Sequence, residues 1–502
     1  MNSYEEIPYL SKPHYPMHPD CLGTLGLLFG MQPAPASRCR VLELGCATGM
    51  NIICLAEAYP QSEFVGVDLS PSQIETGNDL IRRAGLKNVR LQAASIMDVD
   101  ESWGEFDYVL SHGVFSWVPQ AVQEKILELS RKLLKPQGIA YISYNTYPGW
   151  HLRNIVRDLM RYHSRSFEDS MERVQQALAL LQFMAKNAPD ATSPYSRILA
   201  READILSHAP ESYVFHEHLE DVNTPVYFHQ FVERAAKHQL QYMGEAWQHT
   251  LLDEFPADVR ETLQGISDDL IQLEQYADFL TNRTFRRSLL IHADVKIDRA
   301  PDEAVIAQLY ASALAEPTTP APDIHSTEPV TFKIEHGASI SVSYPIVKAA
   351  LGILYRESPR AIPFMELFER SLSAIDNPTN VAEQRAILAT ILLRGHLAHF
   401  VLLLREPFVL ESQVKERPVA SVLARLLAPG NTAVPSRRHK LVPLPLFERA
   451  LLTLTDGTRS IPQLVDDLIA VTNEGQNRDR NEVADRVQDS LEGFARQGIL
   501  VG

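Results

Sequence analysis

The sequence predicts an α/β fold: a parallel sheet with helices on both faces, followed by a separate α+β region. Three observations predict it. Between residues 40 and 144, short apolar runs alternate with helix-spaced segments, the pattern of strands joined by crossover helices. Beyond residue 150 the chain turns to helical stretches rich in Leu, Ala, Arg and Glu. Finally, 502 residues with a 45% hydrophobic share suit roughly two to four domains with sizeable cores.

Residues 40–44 are a short apolar strand ending at Gly45, and residues 50–59 carry helical spacing up to Pro60. Residues 63–67 form the second strand. Ser70 and Pro71 start a helix with a cap and a first-turn proline; it runs to about Ala84, where Gly85 ends it. Residues 89–93, 106–110 and 138–144 are three more buried strands, with a helix over 119–134 between the last two. Residues 225–239 read as an amphipathic helix, 240–246 as a short strand, 252–282 as helix and 284–292 as another strand. These two late strands are expected to complete the sheet, with the helical stretches as insertions over its carboxyl edge. Pro317-Thr-Thr-Pro-Ala-Pro-Asp is turn chemistry and marks a linker. Strands at 330–334 and 339–343 flank Glu335-His336-Gly337 as a hairpin. Helices follow from Pro345 and Pro363, and again near Leu446, Pro462 and Asn481. Both C-terminal pieces have winged-helix-like layouts.

Charge and composition exclude several roles. Lys and Arg number 47 against 63 Asp and Glu, a net charge of −16, which argues against nucleic acid or an anionic membrane as partner. No apolar run is long enough to span a bilayer, so no membrane insertion is expected. The first residues lack the basic and apolar regions of a signal peptide, so a cytoplasmic protein is expected. Cys21, Cys39, Cys46 and Cys54 form no C-x-x-C pair and read as reduced thiols. His216-Glu217-His218 lacks the H-E-x-x-H spacing, because Glu220 stands where the second histidine would be; no metal site is expected. The basic run Arg437-Arg-His-Lys440 reads as a solvated loop.

The chemistry is concentrated in Val41-Leu-Glu-Leu-Gly-Cys-Ala-Thr-Gly-Met-Asn51. A strand delivers the chain to Gly45, and a helix leaves after Gly49. Glycines there allow a tight turn and a close ligand. The spacing is not the G-x-G-x-x-G of a dinucleotide site, and the loop holds no Lys or Arg to cradle phosphates. Val65-Gly-Val-Asp68-Leu69-Ser70 ends the second strand with an acid, 25 residues after Glu43, placed to accept ribose hydroxyl protons. Ile96, Met97 and Asp98 follow the third strand, and Ser111 and His112 end the fourth. Two aromatic loops, Ser111-His-Gly-Val-Phe-Ser-Trp117-Val-Pro and Tyr144-Asn145-Thr-Tyr147-Pro-Gly-Trp150-His151, leave the same edge. Aromatic faces favour cations and exclude water.

The Glu-x-Gly-x-Ala-x-Gly pattern resembles motif I of class I S-adenosylmethionine-dependent methyltransferases, with Ala47 in place of the usual second glycine. The two aromatic loops narrow this. They resemble those of the bacterial protein-lysine methyltransferases known for modifying outer-membrane proteins. Phe215-His-Glu-His-Leu-Glu-Asp-Val-Asn223-Thr-Pro225-Val-Tyr227-Phe228 is similar to that family's regulatory domain, and Ile7-Pro-Tyr9-Leu-Ser-Lys-Pro-His-Tyr15-Pro-Met-His18-Pro-Asp20 to its opening segment.

The resemblance implies a Rossmann-like, seven-stranded methyltransferase sheet and S-adenosyl-L-methionine as cofactor. It implies cofactor contacts from Glu43, Gly45, Cys46, Ala47, Gly49, Asn51, Asp68, Leu69, Ser70, Ile96, Met97, Asp98, Ser111 and His112. Asp98 would take a hydrogen bond from the adenine amino group. Tyr147, His112, Tyr144 and Asn145 are the catalytic candidates; Trp117, Tyr147 and Trp150 would line the acceptor site. The expected reaction is an in-line methyl transfer to lysine of a protein, an outer-membrane or secreted one before export. A small-molecule N- or O-methyltransferase and a non-catalytic, cofactor-sensing binder are the rival readings. The implied organisation is an N-terminal segment closing the cofactor site (1–39), the cofactor-binding core (40–149), a helical insertion (150–212) and a regulatory-type region (213–296). A linker (297–329), a C-terminal domain (330–430) and a winged-helix-like part (431–502) complete it.

Overall fold

The computed structural model describes residues 7, 11–246, 255–299, 303–320, 322–334, 337–376, 380–472 and 479–501. Tyr9, in the opening segment, and Glu335 and His336, at the hairpin tip, lie outside the described residues.

Seven strands form the central sheet: β1 (Arg40–Leu44), β2 (Glu63–Asp68), β3 (Val89–Ala93), β4 (Phe106–Ser111), β5 (Leu134–Asn145), β6 (Leu240–Glu245) and β7 (Phe285–His292). Their order is β3-β2-β1-β4-β5-β7-β6. The chain order reverses between β1 and β4, so a crevice opens at their carboxyl ends, where ligands of such sheets bind. The late strands complete the sheet, but it is mixed, not parallel throughout: β7 runs antiparallel to both β5 and β6.

Local signals explain the helices around the first strands. Ser70 accepts a hydrogen bond from the Gln73 amide and caps Pro71–Ala84, and Gly85 closes that helix in the left-handed region at φ +70°. The Met50–Ala58 helix is apolar nearly all round because it lies between the sheet and other elements. Helices Gly149–Ser164, Ser170–Asn187 and Pro194–Ser207 form the insertion and share a core of their own with Phe215 and Leu219.

Buried charge holds the far end of the sheet. Arg286 in β7 has no exposed side-chain surface and pairs with Glu245, Glu274 and Asp278 at 2.8–3.1 Å. Its ring of carboxylates raises the guanidinium well above its ordinary value against the opposing effect of burial.

The segment 297–329 is not a plain linker. Tyr310–Ala313 pairs with Val401–Leu404, and Ala315–Pro317 pairs with Val330–Ile334, so this stretch supplies strands to two small sheets. Its apolar residues Ala311 and Ala313 are buried, which ties it to the core instead of to solvent. The hairpin strands are Val330–Ile334 and Ser339–Val342, and the helices that follow are Pro345–Glu357, Phe364–Ser373 and Val381–Leu397.

The last unit also begins before residue 431. Ala420, Ala424 and Ala428 share a core with Leu451, Leu468 and Leu491, and the Ala420 backbone bridges to Leu500. Among the described residues no helix is long and apolar enough to cross a membrane. All four cysteines are buried.

Candidate cofactor site and acceptor edge

After β1 the chain bends through three left-handed residues: Gly45 at φ +75°, Ala47 at φ +51° and Gly49 at φ +72°. The bend stays tied to β2. Gly45 and Cys46 donate backbone N–H groups to the Val67 carbonyl at 2.8 and 3.0 Å, and Ala47 donates to the Asp68 carboxylate at 2.8 Å. A Cβ on Gly45 would stand 2.3 Å from a Val114 methyl, and one on Gly49 would stand 2.7 Å from a Leu91 methyl. The glycines are therefore demanded by the loop's own packing and dihedrals, before any ligand is considered. Ala47 holds a conformation that costs an L-residue about 1 kcal/mol.

Strand register sets the acids side by side. Glu43 lies opposite Gly66 on β2 and Leu110 on β4, and Asp68 lies opposite Ala93 on β3. The second Asp68 oxygen accepts from the Ser70 amide at 2.9 Å. Asp98 closes the short turn Ile96–Asp98 and is exposed. Ile96 is buried, whereas Leu69 and Met97 keep 62% and 47% of their surface in solvent. Ser111 is buried with an unpartnered hydroxyl.

Glu43 is buried, and burial raises its carboxyl to about 8, with the Asp68 charge adding to the rise and the Asn51 hydrogen bond opposing it. Burial raises the Cys46 thiol well above its usual range, so it is no nucleophile.

Asn51, the last residue of the motif, is the hub of the inner wall. Its Oδ1 accepts from the His14 backbone N–H at 3.2 Å and lies 2.7 Å from His439 Nε2; its Nδ2 donates to Glu43 at 3.3 Å. The His14 ring stacks on His112 with centroids 4.3 Å apart. His18 and His439 meet edge to face at 5.4 Å. Burial lowers all four imidazoles, His14 and His18 to about 3. The basic run at 437–440 is thus no solvated loop: His439 is buried against the motif, and Arg437 pairs with Glu57 at 3.5 Å. Nothing in the local sequence signals this, because the contact spans 388 residues.

The acceptor-side residues divide. Tyr144 is fully buried, stacks on Phe231 at 4.1 Å and bonds Ser288 Oγ at 2.9 Å, so it belongs to the sheet's core and not to a catalytic rim. Trp150 is likewise fully buried. It meets Trp117 edge to face at 6.1 Å and carries Arg153 over its ring, so it staples the Gly149–Ser164 helix instead of lining an acceptor site. Asn145 faces the other way from Tyr144. Its Nδ2 donates to Asn223 Oδ1 at 3.0 Å, and its backbone N–H donates to Ser116 Oγ at 2.8 Å.

Tyr147 remains at the rim. It stacks on His151 at 4.1 Å and approaches Tyr227 at 5.2 Å, while His151 Nε2 lies 3.0 Å from the Tyr227 hydroxyl. Tyr227 and Asn223 are partners that motif reading did not place in the site. His112 Nδ1 lies 2.9 Å from Tyr141 Oη, and burial holds the ring well below its usual range, so it is a weak base. His216 bonds the Ile7 carbonyl and Glu220.

Residues 35–208 match a family model described as a methyltransferase domain. Residues 210–292 match the predicted methyltransferase regulatory domain, and residues 416–499 the PKMT C-terminal winged helix domain. An uncharacterized protein of Rickettsia prowazekii is 33% identical over 100% of this chain and 94% of its own. The structure of PKMT2 from Rickettsia typhi in complex with AdoHcy is 34% identical, covers 99% of this chain and 100% of that one, and superposes with a TM-score of 0.88. The chain belongs to this S-adenosylmethionine-dependent methyltransferase family.

A second R. prowazekii protein, 48% identical, covers 47% of the methyltransferase and 94% of its own length. The site fits the family's cofactor on its own terms. The Gly45–Asn51 loop carries no cation to repel a sulfonium, the unpartnered Ser111 hydroxyl is buried at the end of β4, and exposed Leu69 and Met97 offer apolar cover beside Asp68 and Asp98.

Proposed function

We propose that this methyltransferase modifies lysine side chains of a protein. The observation that carries the reading is the full-length likeness to PKMT2, which extends beyond the sheet into the C-terminal winged helix. A small-molecule enzyme would need no such counterpart.

In this reading Glu43, Asp68, Asp98 and Ser111 hold the polar groups of S-adenosylmethionine, and Leu69, Ile96 and Met97 cover its flat ring. When bound, the cofactor supplies an electrophilic methyl on a sulfonium. The chain's own work is to align and desolvate the acceptor. A lysine must lose a proton from a reference pKa of about 10.4 before it can attack. The rings of Tyr147, His151 and Tyr227 form an aromatic cluster at the rim, and their faces favour the approach of a lysine ammonium. Burial raises the Tyr147 phenol above its ordinary value, so it stays protonated and orients the amine by hydrogen bonding instead of acting as a base.

The test is methyl transfer from labelled cofactor to a panel of unfolded bacterial proteins, read by mass spectrometry. Lysines gaining one to three methyl groups are expected. Labelled small molecules from an extract, with no labelled protein, would replace this reading by the small-molecule one. Cofactor binding without transfer to either would leave a non-catalytic binder.

A further inference from the structure

The helix that follows the glycine bend is gripped at both ends by the C-terminal unit. At its first turn, Asn51 meets His439 at 2.7 Å. At its last turn, Glu57 accepts hydrogen bonds from Ser421 Oγ and the Val422 amide, both at 2.7 Å, and pairs with Arg437. The two contacts arise from separate elements, the turn between strands Ala433–Pro435 and Leu441–Pro443 and the start of helix Val422–Leu427.

The orientation of the Asn51 amide is set without ambiguity. The His14 backbone N–H can only donate, so the Asn51 atom it meets is the oxygen. The amide nitrogen then faces Glu43, and His439 must carry its proton on Nε2 to donate to that same oxygen. One direction of donation therefore runs from His439 through Asn51 to the Glu43 carboxyl oxygen. Without His439, the Asn51 oxygen keeps one donor in a buried site, and the amide is freer to turn away from Glu43.

We propose that the winged-helix unit is a working wall of the cofactor site. His439 is a positioning residue that holds Asn51 and, through it, Glu43, so cofactor occupancy and docking of the C-terminal unit strengthen each other. The coupling is reciprocal, as linkage requires. It rests on the assignment of the cofactor to the Gly45–Asn51 loop, and it gives the C-terminal unit a role in cofactor retention in addition to any contact with the protein acceptor.

The experiment measures S-adenosylhomocysteine binding by calorimetry in the full chain. His439→Ala is expected to weaken binding roughly five- to tenfold, the worth of one buried hydrogen bond. His439→Gln carries an amide N–H at about the reach of the imidazole Nε2 and is expected to restore most of the affinity, which a purely packing role would not do. Hydrogen exchange of the wild-type chain supplies a second readout that needs no variant. Added S-adenosylhomocysteine is expected to slow exchange at Val422, Leu423 and the 436–440 turn. Wild-type affinity in His439→Ala, no rescue by glutamine, or ligand-independent exchange at those amides would each overturn the proposal. Failure of the wild-type chain to bind S-adenosylhomocysteine would instead overturn the cofactor assignment itself.

Discussion

The loop after β1 and the loop after β5 leave the same edge of one sheet, yet they use it differently. In the first, functional groups lie beyond the strand end, where backbone amides and the Asp68 carboxylate face each other across a bend. In the second, the aromatic motif begins while the chain is still in β5, which runs to Asn145. The pleat sends successive side chains to opposite faces, so Tyr144 goes to the core and Asn145 to the Asn223 side. Trp150 falls inside the first turn of a helix and is buried against Trp117. An aromatic-rich loop at a ligand edge is thus part pocket and part anchor. Of this motif Tyr147, past the strand end, and the exposed His151, one residue beyond Trp150, belong to the rim.

That division can be broken by mutation. The largest effect is expected for Trp150→Ala, which removes a fully buried indole and should cost about 3–5 kcal/mol in urea denaturation. A loss below about 1 kcal/mol with transfer abolished would return Trp150 to the acceptor pocket. Next comes Asp68→Ala. It removes a carboxylate that accepts from Ala47 and Ser70, and should weaken S-adenosylhomocysteine binding by about a hundredfold, since charge-assisted bonds are worth roughly 1.5–3 kcal/mol each.

A pH titration sharpens the first loop. The Glu43 carboxyl stands near 8 against an ordinary value of 4.5, so the folded chain holds its proton more tightly than the unfolded one. Its contribution to stability therefore falls as pH rises from the unfolded value and levels off above about 8. A cationic ligand favours the ionised carboxylate, so S-adenosylmethionine affinity should climb between pH 7 and 9, with proton release on binding below about pH 8. Calorimetry in buffers of different ionisation enthalpy reads both, and a flat profile would remove Glu43 from the ligand's surroundings.

The two tyrosines of the second loop should separate cleanly. Tyr144→Phe breaks the bond to Ser288 and should cost about 1 kcal/mol of stability with transfer unchanged. Tyr147→Phe should leave stability and cofactor affinity intact and slow transfer. The smallest effect is expected for Ala47→Gly, which relieves the left-handed φ of +51°. The gain is at most about 1 kcal/mol, because glycine also loosens the unfolded chain.

Much of the fold was legible because its signals are local. Ser70, Pro71 and Gly85 bound one helix, and the apolar runs of β1 to β4 lie within a residue of where the sequence put them, whereas β5 begins at Leu134, inside the expected helix and ahead of the expected strand at 138–144. The direction of β7 was not legible, since an apolar run has the same composition whichever way it enters a sheet. The local geometry of the candidate site was legible where it follows short-range signals: the bend at Gly45 and Gly49 and the places of Glu43 and Asp68 near two strand ends are where the spacing put them. It was misread at Tyr144 and Trp150, where the side-chain direction depends on how far a strand continues and where a helix begins. It was invisible at His439 and Arg437, whose meaning comes from a partner hundreds of residues away.

The sequence by itself determined the α/β class, the order of the early elements, the bend between two glycines and the acids at two strand ends. Each depends on dihedral preference, periodicity or spacing within a few tens of residues. Only the tertiary structure decided which aromatics face the rim, that β7 enters antiparallel, and that a histidine near the chain's end completes the wall behind Glu43. These are choices of partner and direction, and a buried hydrogen bond is satisfied by whichever group the fold brings within reach, irrespective of its distance along the chain.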